Sequence, residues 1–63
     1  RMVERTVTPE MLSGGRKLME IDLREEELVI LVRRGDNYMV PKGKLELASG
    51  DILLIVFEQH TLH

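Results

Sequence analysis

Apolar residues along this chain come in short runs, each closed by a turn former, and the period of each run assigns an element. Met2 to Thr8 alternates loosely around Val3 and Val7, carries two threonines and stops at Pro9, which predicts a half-polar strand. Ser13-Gly14-Gly15 then breaks the chain. Leu18 and Ile21, with Met19 beside them, form a narrow apolar stripe within Arg16 to Asp22, enough for about two turns of helix. A helix that short is unstable alone in water and must pack on a sheet.

Arg24-Glu25-Glu26-Glu27 reads as a solvated connection. Leu28 to Arg33 predicts the clearest strand, with Leu28, Ile30 and Val32 on one face and Val29 and Leu31 on the other. Both faces are apolar, so both are expected to be covered. Gly35-Asp36-Asn37 makes a tight turn, and Tyr38 to Val40 returns as the second arm of a hairpin. Pro41 ends it, because proline has no N–H to give a ladder. Pro41-Lys42-Gly43-Lys44 is a loop, Leu45 and Leu47 follow, and Ser49-Gly50-Asp51 turns again into a last strand, Ile52 to Phe57, apolar on both faces. Residues 59–63 read as a frayed tail behind a single domain, residues 1–58.

The predicted order is strand, helix, strand, strand, strand: an α+β fold of β-α-β-β-β type, with a mainly antiparallel sheet and one short helix on one face. One helix cannot cover both sides of doubly apolar strands. The face left over, assigned to Leu28, Ile30, Val32, Ile52, Leu54 and Val56, is expected to meet a second copy around a two-fold axis. Size points the same way. A chain of 63 residues buries roughly 6,400 Å², about 60% of it apolar, for ~95 kcal/mol of driving force. Ordering it costs about the same. There is no cysteine, hence no disulfide or thiolate zinc site to tip that balance, and association remains.

Composition excludes several classes. With 43% hydrophobic residues and a net charge of −2, the chain is neither disordered nor the basic scaffold of a nucleic-acid binder. Tyr38 and Phe57 are the only aromatic residues, too few for base stacking. No apolar run approaches the ~20 residues of a membrane span, so direct membrane insertion is not expected. Arg1 opens the chain and charges follow at once, which reads as a piece of a larger protein without a signal peptide.

Catalytic chemistry is thinly provided. His60 and His63 lie in the tail, and Ser13 and Ser49 sit beside glycines in turns, with no histidine near them in sequence to act as a base. Consecutive Glu25, Glu26 and Glu27 point in different directions and read as a solvated face. Gly14-Gly15 lacks the Lys-Ser/Thr of a phosphate loop and reads as a turn into the helix. Asp36, Asn37 and Asp51 have no calcium-loop spacing, and the turn role is the expectation for each. No catalytic residue, metal site or cofactor is assigned.

The ordered set of short motifs is more informative than any one of them. Gly15-Arg16-Lys17-Leu18 leads into Ile21-Asp22-Leu23; Ile30-Leu31-Val32-Arg33-Arg34-Gly35 is followed by Tyr38-Met39-Val40-Pro41 and by Leu47-Ala48-Ser49-Gly50-Asp51-Ile52-Leu53-Leu54. In this order and spacing, over residues 3–57, the sequence resembles the TrkA-C domain, the C-terminal half of modules that regulate potassium conductance. Pro41-Lys42-Gly43 is similar to copies appended to cation/proton antiporters. The chain departs from the family's frequent threonine ahead of the Gly-Asp turn, having Lys44-Leu45-Glu46 there. It also lacks the companion Rossmann half, so nicotinamide-nucleotide binding is not carried over.

The resemblance implies a non-catalytic, dimerising regulatory domain on the cytoplasmic face of a membrane, attached to a monovalent-cation transporter, a potassium or sodium/proton antiporter. It implies a homodimer, a transmembrane part in the same or a partner chain, no nucleic-acid polymer, and a small regulatory ligand such as a cyclic dinucleotide at the dimer interface. The matching positions are Arg33, Arg34, Asn37, Tyr38, Met39, Val40 and Pro41. An arginine forks onto phosphate, and two copies duplicate every donor for a symmetric ligand. The alternative is a structural dimerisation module that binds nothing.

Overall fold

The computed structural model describes residues 1–58; residues 59–63, the expected tail with His60 and His63, lie outside them. Strands β1 (Met2–Thr6), β2 (Glu27–Arg34), β3 (Asn37–Met39) and β4 (Ile52–Phe57) form one antiparallel sheet in the order β1-β4-β2-β3. The two strands whose sequences are apolar on both sides, β2 and β4, are the two interior strands. The more polar β1 and the short β3 take the edges, where charged residues and brevity are tolerated.

Two long connections build the second layer. Residues 7–26 lead from β1 to β2 and residues 40–51 lead from β3 to β4, and both run over the same side of the sheet. Val7, Leu18, Ile21 and Leu47 from these connections close on Val29, Val32, Leu53 and Ile55 from the sheet, making a single core. The connections also pair with each other. Leu18 N–H donates to the Leu45 carbonyl (2.8 Å), Met19 N–H to that of Gly43 (3.0 Å), and Leu47 N–H to that of Arg16 (2.7 Å).

That pairing explains why the predicted helix is not an α-helix. Within Arg16 to Asp22 only Leu18–Glu20 is helical, as a single 3-10 turn. The Arg16 carbonyl, which an α-helix would give to Glu20 N–H, is taken by Leu47 N–H, so Glu20 N–H donates to the Lys17 carbonyl (2.8 Å) instead, and Lys17, in extended conformation, forms a bridge with Glu46. Burial against the sheet is kept, through Leu18 and Ile21, without the helix. The first strand ends at Thr6, two residues short of the expected Thr8, and a second 3-10 turn, Pro9–Leu12, follows it. Thr8 caps it, its Oγ1 accepting from Met11 N–H at 3.4 Å, and Pro9 occupies the first helical position, where no N–H is needed. The Thr-Pro pair is the sequence signal for that turn.

The hairpin between β2 and β3 forms where expected but one residue earlier, Asn37 belonging to the second arm and Val40 lying outside it. Arg34 pairs with Asn37 across Gly35-Asp36, and Gly35 takes φ 58° while among the described residues none other than glycine has a positive φ. A left-handed residue at the first central position alone fits the II′ turn that matches strand twist.

Strand β2 contains the feature that decides which side chains face where. Val29 pairs with Ile55 but Leu31 pairs with Leu54, so Ile30 is an extra residue, a β-bulge. Alternation therefore slips by one. Glu27, Val29 and Val32 face the core, which we call the inner face; Leu28, Leu31 and Arg33 face the opposite, outer side. The expectation that Val32 shares a face with Leu28 is corrected here: Val32 is fully buried in the core, while Leu28 is 60% exposed.

Candidate functional site

The outer face has no cover. By pairing register, Met2, Val56 and Leu28 share one rung, Glu4, Leu54 and Leu31 the next, and Thr6, Ile52, Arg33 and Tyr38 the third. Met2, Leu28, Ile30 and Tyr38 are exposed, and Leu31, Ile52, Leu54 and Val56 are half-buried only by one another and the twist of the sheet. A contiguous apolar patch of this kind marks an interaction site more often than a scatter of single exposed residues does. Of the residues expected at a dimer interface, Leu28, Ile30, Ile52, Leu54 and Val56 lie here. Val32 does not, and Leu31, which the sequence assigned to the other side, does.

The expected ligand residues divide between the two faces. Arg33 and Tyr38 are paired on the outer face with Val40 exposed near them, Asn37 is exposed but pairs with Arg34 on the other face, and Pro41 is half-buried. Met39 instead points inward and packs against the core. Arg34 faces inward too and is already engaged. Its Nε donates to Asp51 Oδ1 (2.9 Å) and its Nη2 to Asp51 Oδ2 (2.8 Å), with a further bond from Nη2 to the Glu46 carbonyl (3.1 Å). This two-pronged, charge-assisted grip occupies the donors a phosphate would use. Arg33, whose Nη1 donates to the Gly35 carbonyl at 3.4 Å, keeps most of its donors for something else. Among the described residues no enclosed cavity forms and no cluster of acidic or histidine side chains is arranged to hold a metal.

The Arg34–Asp51 pair is a structural node that composition did not reveal. Asp51 is 2% exposed. Besides Arg34 it accepts from the Ala48 N–H (2.9 Å), closing the turn that Gly50 makes with φ 96°. Asp51's own carbonyl takes the Val7 N–H (2.7 Å), and Gly50 N–H donates to Val7 O (2.8 Å). The carboxylate thus ties the end of β2 to the turn before β4, and the backbone of Gly50 and Asp51 ties that turn to the residue after β1. The turn role expected for Asp51 holds, with the ion pair added. The Arg-Gly and Gly-Asp motifs, seventeen residues apart from Arg34 to Asp51, meet here.

A second buried carboxylate corrects the sequence reading. Glu27 is not part of a solvated stretch; it opens β2 on the inner face and is 9% exposed. It takes a charge-assisted bond from Arg5 on β1 and another from Arg24 N–H (2.9 Å). A buried position directly after Glu25-Glu26 carries no signal of its own; only Arg5, inward on β1, supplies the partner.

Hydrogen bonds from Arg5 and the Arg24 backbone lower the pKa of Glu27 from the ordinary 4.5 to about 2. The Arg34 fork, aided by the Ala48 N–H, lowers that of Asp51 as well. Groups whose folded pKa is depressed contribute stability that is complete above the unfolded value and lost as pH falls through the folded one. The expected result is a urea midpoint that is flat from pH 7 to about 5 and falls below about pH 4.5 toward pH 2. Glu27→Gln should shrink that fall; an acid limb of undiminished depth in the variant would remove Glu27 as its source.

The profile of the TrkA-C domain family matches residues 2–63. The chain belongs to the TrkA-C domain family. No curated protein and no solved structure matches it. TrkA-C domains are regulatory, non-catalytic modules of potassium-transport and cation/proton antiporter proteins. The small antiparallel sheet with short helical turns is consistent with the α+β fold of that family. Among the described residues no helix is long and apolar enough to cross a membrane.

Proposed function

We propose that this TrkA-C domain is a dimerising, ligand-sensing regulatory module on the cytoplasmic face of a membrane monovalent-cation transporter, a potassium or sodium/proton antiporter. The observation that carries this reading is the uncovered outer face, apolar across three rungs and bordered by Arg33 and Tyr38. A second copy on this face covers Leu28, Leu31, Ile52, Leu54 and Val56 and brings two sets of Arg33, Tyr38 and Val40 to the rim of one interface. A two-fold-symmetric anionic ligand such as a cyclic dinucleotide fits duplicated guanidinium groups in that setting. Regulation follows when the ligand binds the gate's two states unequally.

A second reading is favoured by one specific observation. Arg34 is held by Asp51 and Met39 by the core, which leaves fewer free groups for a ligand than the sequence offered. On that reading the domain dimerises and binds nothing.

Leu54→Asp places a charge at the centre of the outer face without touching the core. Sedimentation equilibrium is expected to give a dimer for the parent chain and a monomer for the variant, with far-UV circular dichroism unchanged. A parent chain that is monomeric at all concentrations overturns the dimer. Thermal unfolding with a panel of cyclic dinucleotides, mononucleotides, K⁺ and Na⁺ separates the two readings. A ligand at 100 times its Kd adds about 2.7 kcal/mol, several degrees for a domain this small. A midpoint that moves with protein concentration alone leaves the purely structural role.

A further inference from the structure

The outer face carries its own instructions for how two copies meet. Across its three rungs the charged residues are Glu4, on edge strand β1, and Arg33, on β2 beside β3. Glu4 is exposed, and neither residue has an oppositely charged partner among the described residues. They flank the apolar centre on opposite sides: Glu4 sits beyond Leu54 on the middle rung, Arg33 beyond Ile52 on the third.

Two copies packed face to face with their strands aligned can be related by a two-fold axis in only two ways. With the axis across the strands, β1 lies over β1 and β4 over β4. Glu4 then faces Glu4 of the partner subunit, and Arg33 ends over the apolar rung of Leu28. With the axis along the strands, β1 lies over β3 and β4 over β2. Leu54 then meets Leu31 of the partner subunit at the centre. Glu4 lies one strand and one rung from Arg33 of the partner subunit, within reach of two long side chains across a sheet spacing of ~10 Å. Like charges brought together in an interface cost several kcal/mol, whereas opposite ones fix register.

We propose that the outer face pairs with a second copy about an axis parallel to the strands, with Glu4 of each subunit bound to Arg33 of the other. This rests on the dimer reading above and specifies it: two symmetry-related ion pairs border the apolar centre and select one of the two packings. The pair also places each Arg33 at the interface rim, where a ligand competing for the guanidinium would act directly on the register of the dimer.

The test uses the whole chain and its dimer dissociation constant by sedimentation equilibrium. Glu4→Arg and Arg33→Glu are each expected to weaken dimerisation about tenfold or more, and the double exchange E4R/R33E to restore it to within about threefold of the parent. Glu4→Gln should weaken it modestly. A parent chain that dimerises while Glu4→Gln tightens it, or while the double exchange stays weak, overturns the proposed axis and leaves the dimer intact. A parent chain that does not dimerise overturns the dimer reading instead. Circular dichroism checks that each variant folds, which the exposed or half-buried surface position of both residues makes the expected result.

Discussion

Leu53→Ala is expected to remove about half of the domain's stability at 25 °C in the absence of a partner. Leu53 is fully buried on β4, between Arg5 on β1 and Val32 on β2 in the register, and lies in the core with Leu47 and Val7. Truncating a leucine in such a position costs about 2–5 kcal/mol, the upper values applying where the surroundings cannot collapse into the space. Here they are held by the sheet on one side and by two hydrogen-bonded connections on the other. A domain of this length has a total stability of only about 3–9 kcal/mol. The neighbouring Leu54→Ala serves as the control: one residue away, on the outer face, it removes no core contact. Urea unfolding of the two variants should differ by at least 2 kcal/mol at low protein concentration. Equal losses would mean that the faces are assigned wrongly.

The second large effect is expected at Asp51. Asp51→Ala removes the acceptor of two guanidinium bonds and of the Ala48 N–H at once, in a position sealed from water. Arg34, about half exposed, regains water when its partner goes, whereas the Ala48 N–H inside the turn does not. That difference limits the loss to about 2–3 kcal/mol, below the upper end for a fully buried pair. For a domain of this size the melting temperature should fall by roughly 10–20 °C. Asp51→Asn keeps an acceptor for Ala48 and should recover part of the loss. Thermal unfolding followed by circular dichroism decides it. A variant that melts with the parent would reduce the Arg34–Asp51 node to a surface decoration.

The two carboxylate clusters share a design. Glu27 with Arg5 and Asp51 with Arg34 sit at opposite ends of β2, the first joining it to β1 across the intervening β4 and the second joining it to the turn before β4. Between them lies an apolar core from a handful of side chains. In a chain too short to bury much, hydrogen-bonded charges at the core's margins hold the long connections in place where additional apolar residues would be left exposed.

The antiparallel sheet, its strands and the family were legible in local signals. Turn formers at Gly35 and Gly50, the stop at Pro41 and the run from Ile52 to Phe57 act over a few residues, and reading them needs no knowledge of what lies across the sheet. The helix expected over Arg16 to Asp22 failed for the converse reason. Its apolar stripe was real, but the Arg16 carbonyl accepts from Leu47 N–H and Lys17 is held extended against Glu46, and these tertiary hydrogen bonds displaced a helix that had only about two turns to offer.

For the candidate site, the sequence by itself determined that β2 and β4 are apolar on both sides and that one layer of connections cannot cover both. It also placed Arg33 and Tyr38 on either side of the Gly35 turn. Only the tertiary structure decided which residues share a face. The bulge at Ile30 shifts the alternation by one, sending Val32 into the core and Leu31 out, and a bulge depends on how β2 registers against β4. The same holds for Arg34 and Glu27, whose partners lie 17 and 22 residues away. A side chain's neighbours across a sheet are set by strand pairing, which no local pattern records.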